Sequence, residues 1–221
     1  MWESLASFNF KDLINMPWYV ICTLVLLVAL FAGIMIAGGK KWTVRRLAYA
    51  ALCLAISFVL SCIRLYRMPS GGSVVLCSIL PLVAFSFYCG VWQGLVLGVA
   101  YGLLQMLQGA WIIHPVQGFM DYIAAYAILA MGGLAVKLPV NERLKLPVGL
   151  IIAGILRWAV HVVSGMMFFS ADALEAGQAP FVYSAVYNLF LFPEAILSAV
   201  IAFIPGVKSA LERTLGNARE M

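Results

Sequence analysis

Seven mostly apolar stretches, each close to the length of a membrane-spanning helix, follow one another along this 221-residue chain with short polar loops between them. No other feature narrows the possible folds so far, because a helix needs about 20 apolar residues to cross the hydrocarbon of a bilayer. Backbone groups in lipid must also find partners within their own segment, which leaves helices as the spanning form for runs of this length. Only 10% of the residues are charged, against about 25% in a soluble domain. The sequence therefore predicts an all-α, polytopic membrane bundle with no separate soluble domain.

The expected spans are, in order, 17–37, 44–63, 74–88, 91–107, 115–136, 147–169 and 181–204. An amphipathic tail, VKSALERTLGNARE, follows Pro205. Residues 1–42 are read as an extra N-terminal helix with a basic loop, and 43–221 as a six-helix membrane domain. The first run lacks a basic leader and is longer than a signal-peptide core, so it is expected to persist as a helix. Ten of the 14 Lys and Arg residues fall on one side of this arrangement and three on the other. The positive-inside rule then places the N-terminus outside and the C-terminus in the cytoplasm. These basic residues sit in short clusters between apolar runs, a pattern that reports topology and excludes a nucleic-acid partner. Five cysteines lie within or beside the runs without C-x-x-C spacing, as small buried hydrophobes do. Gly98, Gly102 and Gly109, with Ala100, offer a small-residue face on the fourth span for close helix packing.

Polar residues inside the spans are the informative exceptions, because an ionisable group in hydrocarbon is costly and usually faces a protein interior or a water-filled cavity. A rise of about 1.5 Å per residue places Asp121, His161 and Asn188 at one level, about 10 to 12 Å below the outer mouth. Trp111, Tyr122, Phe169 and Tyr183 lie at or above that level. A lone carboxylate among aromatic rings suits an organic cation, through ion pairing and cation-π attraction. The competing reading is that the three polar groups simply bond one another to hold helices together. Deeper still, Arg157 and Glu194 share a level on neighbouring spans and are expected to form a buried ion pair. Pro193 should kink the last span.

The motifs HPVQGFMDY (114–122), RWAVHVVSGMMFF (157–169) and YSAVYNLFLFPE (183–194) resemble the thiamine-specific substrate-binding component of energy-coupling factor vitamin transporters. The likeness spans about Leu47 to Leu211. It implies a six-helix bundle in a bacterial plasma membrane that holds thiamine near the extracellular face. It also implies partners: a transmembrane coupling subunit and two ATPase subunits. Carried over by motif, Asp121 and Tyr122 look like the acidic-Tyr pair that meets the thiamine cation, with Asp where Glu can stand. His161 and Gly165 look like the His-x-x-x-Gly of the ring-binding end. Phe169 stands where an aromatic stacks, Tyr183 and Asn188 match a Tyr-x-x-x-x-Asn pair, and Trp111 matches an aromatic ten residues before the acid. Ala51 and Ala55 look like the small residues that dock the coupling subunit, with ordinary packing within the bundle as the alternative. The family pattern lacks the first span, which is expected to pack away from Ala51 and Ala55. The loop from Arg64 to Ser73 is expected to close over the vitamin.

No metal or cofactor is called for, and GGKKWT lacks the spacing of a phosphate-binding loop, so ATP must be used by partners. Within the same class, a component for another vitamin or for hydroxymethylpyrimidine is the alternative. An intramembrane enzyme using Asp121 and His161 as acid and base lacks a nucleophile motif at that depth. Haem held by His114 and His161 is disfavoured by their different levels.

Overall fold

A computed structural model describes residues 42–68 and 72–216. The chain divides into two units, Met1–Ala37 and Gly38–Met221. The expected first span, its packing and Cys22 lie outside the described residues.

Helix α1 (Val44–Cys62) begins where the Thr43 hydroxyl accepts from the Arg46 N–H at 3.2 Å, an N-cap of the usual kind. Its buried face carries Arg46, Ala50, Cys53, Ser57 and Ser61, whereas Leu47, Ala51, Leu52, Ala55, Ile56 and Val59 are exposed. Apart from Arg46 the buried face is of small residues, and the outward face is apolar, the pattern of a helix whose other side meets lipid or another membrane protein, since lipid is as apolar as leucine. The next stretch, read from sequence as a loop, is an antiparallel hairpin of β1 (Arg64–Arg67) and β2 (Ser73–Val75), with Arg64 opposite Val75 and Arg67 opposite Ser73.

That hairpin takes Val74 and Val75, which corrects the third expected span. Helix α2 starts only at Ile79 and runs to Cys89, 11 residues, or about 16 Å, which is too short to cross hydrocarbon. Ten of those residues are buried, and a helix apolar on every side belongs in the core of a bundle. Gly90, at φ 111°, turns the chain directly into α3 (Val91–Leu107).

Helix α3 packs closely on α4 (Pro115–Lys137). A Cβ at Gly98 would fall 2.5 Å from the Tyr126 carbonyl oxygen, and one at Gly102 would strike the Tyr122 carbonyl. Gly109, expected on the same face, instead has φ 109° with open space around it and serves the turn beyond the helix. Helix α4 is irregular: α-helical at Pro115–Gly118, π-helical at Phe119–Ala124, α-helical at Ala125–Ala127, then 3-10 from Ile128 to Lys137. Asp121 lies in the π-helical stretch, a distortion that tends to occur at functional sites.

Helix α5 (Glu142–Phe168), at 27 residues, is the longest among the described residues. It starts five residues before the expected Pro147, because Asn141 caps it by accepting from the Arg143 N–H at 3.0 Å, and exposed charges are compatible with a first turn. A short α6 (Ser170–Glu175) occupies the acidic loop. Helix α7 (Pro180–Phe203) relaxes to a 3-10 turn at Asn188–Phe190, just before Pro193. Proline removes a backbone donor there and forbids a regular ladder. Among the described residues, α1, α4, α5 and α7 are long and apolar enough to cross a membrane. The amphipathic tail forms α8 (Pro205–Leu215), whose Val207, Leu211 and Leu215 close the core around Val83, Phe85, Leu150 and Ala195. Cys53, Cys77 and Cys89 are buried and Cys62 is exposed, all as free thiols.

Candidate functional site

One cavity of about 170 Å³ opens among the ends of α1, α3, α4, α5 and α7, under the hairpin. All eight residues singled out from the sequence line it: Trp111, Asp121 and Tyr122 from α4 and the segment before it, His161, Gly165 and Phe169 from α5 and its end, and Tyr183 and Asn188 from α7.

Asp121 is held from two sides. His161 Nδ1 lies 3.0 Å from its Oδ1, and the Gln117 amide donates to its Oδ2 at 2.6 Å. Both side chains of the Asp121–His161 pair are mostly buried, at 16% and 14% exposure. His161 Nε2 is buried without a partner. Asn188 does not join this pair. Its amide donates to the Ser184 carbonyl at 2.9 Å, and the residue lines the cavity.

Beside the cavity, two side-chain bonds hold α7 against α5: Ser184 Oγ donates to the Val162 carbonyl at 3.0 Å, and Trp158 Nε1 to the Ala185 carbonyl at 3.1 Å. Ser184 also explains Gly165, since any Cβ there would strike its hydroxyl. Tyr122 points its hydroxyl at the Trp111 N–H, accepting at 2.8 Å. That bond fastens the segment carrying the half-exposed Trp111 ring. His114 sits at the mouth as the cap of α4: its Nδ1 accepts from the Val116 N–H at 3.2 Å, and its ring stacks on Phe168 at 5.0 Å. Burial holds its pKa below the ordinary value, and the cap needs the neutral ring. The cap is therefore intact above the ordinary histidine pKa of about 6.5 and weakens as pH falls through the lowered value.

Below the acid lies a second network. Arg157 Nη1 donates to Glu194 Oε2 at 3.1 Å, and Nη2 to the Tyr126 hydroxyl at 3.0 Å. Glu194 Oε1 accepts from Ser78 Oγ at 2.6 Å and from the Ile79 N–H at 3.3 Å. A carboxylate at the first turn of α2 is favourably placed against the helix dipole. Arg157 also borders the cavity, but its charge is matched by Glu194. Arg64, also on the cavity wall, bonds the Gln108 carbonyl, and among the described residues no Lys or Arg is bonded to Asp121, so its carboxylate is not paired with a permanent cation.

Sequence reasoning missed several lining groups. Gln105 and Gln108 each donate to Ser61 Oγ at 2.9 Å; two amides at the end of an otherwise apolar span were the available signal. Arg64 reaches the Gln108 carbonyl at 3.5 Å, and Gly72 of the hairpin lies against the Phe190 ring. Gln117 was legible as the residue one helical turn before Asp121. Among the described residues no cluster of His, Cys, Asp or Glu is arranged to hold a metal.

Residues 47–212 match the model of a family described as "Thiamine transporter protein (Thia_YuaJ)". The chain is 34% identical over 169 residues to a thiamine transporter of Bacillus subtilis (strain 168), covering 71% of this chain and 87% of that protein. It is 26% identical over 106 residues to a thiamine transporter of Lacticaseibacillus paracasei, covering 44% and 52%. The fold is similar to a solved protein from Listeria monocytogenes described as "Native-SAD phasing for ThiT". The TM-score is 0.64 at 28% identity, over 76% of this chain and 96% of that one.

Proposed function

Because this chain belongs to the thiamine transporter protein family, we propose that it is the thiamine-binding membrane subunit of an ATP-driven vitamin importer. The observation that carries this reading is the Asp121 carboxylate, bonded to no lysine or arginine among the described residues, inside a cavity bordered by Trp111, Phe169 and Tyr183. The thiazolium cation pairs with Asp121, while ring faces add cation-π attraction of about 0.5 to 2 kcal/mol. His161 Nε2, without a partner among the described residues, and the Asn188 side chain on the cavity wall complete the polar contacts to the aminopyrimidine ring. Binding involves no bond-making step; the role is transport, not catalysis.

The positive-inside pattern supports a cavity open to the outside, an exterior N-terminus and a cytoplasmic C-terminus in a bacterial plasma membrane. The hairpin over the cavity, Arg64–Arg67 with Ser73–Val75, closes on the vitamin. Energy comes from a coupling subunit with two ATPases, docked on the exposed Ala51 and Ala55 face of α1. Replacing both alanines by Leu should leave thiamine affinity within about twofold but cut cellular thiamine uptake about tenfold, because bulky side chains prevent close helix approach. Unchanged uptake would remove the docking role.

The binding reading is tested by tryptophan-fluorescence titration of the purified protein. Thiamine should quench saturably, with hydroxymethylpyrimidine and riboflavin far weaker. Tighter binding of the pyrimidine would move the assignment to the precursor, and no response to thiamine would overturn it.

A further inference from the structure

We infer that Gln117 is the positioning residue that sets the cavity's preference for a cationic ligand, by orienting Asp121 and tying it to the segment that carries Trp111. This rests on the thiamine-binding reading above. Gln117 is 2% exposed, and both ends of its amide are used. Its Nε2 donates to Asp121 Oδ2 at 2.6 Å and to the Trp111 carbonyl at 3.2 Å, while its Oε1 accepts from the Ile113 N–H at 3.2 Å. One buried side chain thus couples the acid to the rim.

The arrangement has a chemical consequence. A carboxylate can rotate about its last bond, and the pair of contacts to His161 Nδ1 and Gln117 Nε2 removes that freedom, one donor for each oxygen. Both donors can be neutral, so Asp121 is held without being cancelled. An arginine or lysine at 117 would hold it as well but would neutralise the field that attracts a cation. An amide four residues before the acid, on the distorted start of α4, supplies orientation alone. Gln117 also joins two other bonds, from the Trp111 N–H to the Tyr122 hydroxyl and from the Val116 N–H to His114, in fixing the course of 111–116.

The test compares thiamine with a neutral isostere, in which an uncharged thiophene ring replaces the thiazolium, on the purified full-length protein. In Gln117→Met, which keeps the length and loses the amide, thiamine affinity should fall about tenfold, the loss expected for one hydrogen bond to a charged group. Affinity for the isostere should change by less than about threefold, because no ion pair is at stake. A role confined to shaping the fold would weaken both ligands equally, and equal losses, or none, overturn the inference. Should Gln117→Met yield no folded protein, Gln117→Asn, whose amide is too short to bridge, is measured instead and must show the same asymmetry. If the unmodified protein fails to bind thiamine, the binding reading itself falls, and this inference with it.

Discussion

Asp121→Asn is expected to weaken thiamine binding about a hundredfold, or ~2.7 kcal/mol, in the range found when one partner of a desolvated charge pair is removed. Asparagine keeps the shape and still accepts from one of the two donors, so the loss measures charge and not volume. The carboxylate is mostly buried, at 16% exposure, and among the described residues no Lys or Arg is bonded to it. Its attraction for a bound cation is therefore little screened by solvent. Isothermal titration of the purified protein reads the change. The neutral thiophene isostere serves as internal control and should bind the variant about as well as the unmodified protein. A thiamine affinity within threefold of the original would show that the cation is met elsewhere in the cavity.

The largest effect on stability is expected at Glu194. Removing its carboxylate strands the Arg157 guanidinium, 7% exposed, and strips acceptors from Ser78 Oγ and the Ile79 N–H at the start of α2. Breaking a buried pair from one side costs about 3–5 kcal/mol. Glu194→Leu should therefore lower the thermal unfolding temperature of the purified protein sharply. Adding Arg157→Met should recover much of the loss, since replacing both charges by apolar groups of similar volume is often nearly neutral. Recovery by the second substitution is the diagnostic part, because a cavity or a packing fault at Glu194 would not be repaired from α5. A Glu194→Leu protein as stable as the original would mean that the pair contributes little.

The two sites differ in how their residues act, although a single turn of α5 separates Arg157 from His161. Arg157 and Glu194 satisfy each other and bind four helices together, α2, α4, α5 and α7, so their charges are spent inside the protein. Asp121 is oriented by His161 and Gln117 and keeps its charge for a ligand. Intramembrane polar groups fall into these two kinds, and partner identity distinguishes them better than depth does.

Several features were legible in the sequence. The bounds of α1 and α3 followed from hydropathy, because a lipid-crossing segment must be apolar over a known length. Asp121, His161 and Asn188 were placed at one level by counting residues along their helices, and all three border the same cavity. The likeness of motifs at 114–122, 157–169 and 183–194 pointed to the family, whose model covers residues 47–212.

Other features came only from packing. Val74 and Val75 read as helix by apolarity alone, yet they pair with Arg64 and Tyr66. Helix α2 looked like a span but is a short core helix, because its first apolar residues went to the hairpin. Gly109 shares its residue type with Gly98 and Gly102 without sharing their role. Gln117 stood in plain view one turn before the acid, but its bonds to Trp111 and Ile113 depend on how the preceding segment folds back.

What the sequence determined by itself was the membrane, the order of the helices, and the height of each polar group along its helix, because axial rise is a property of the backbone alone. Which way those groups face was decided by tertiary structure. The close approach of α3 glycines to α4 and the π-helical stretch around Asp121 turn that side chain toward His161. Rotation about a helix axis answers to neighbours, which residue spacing does not contain.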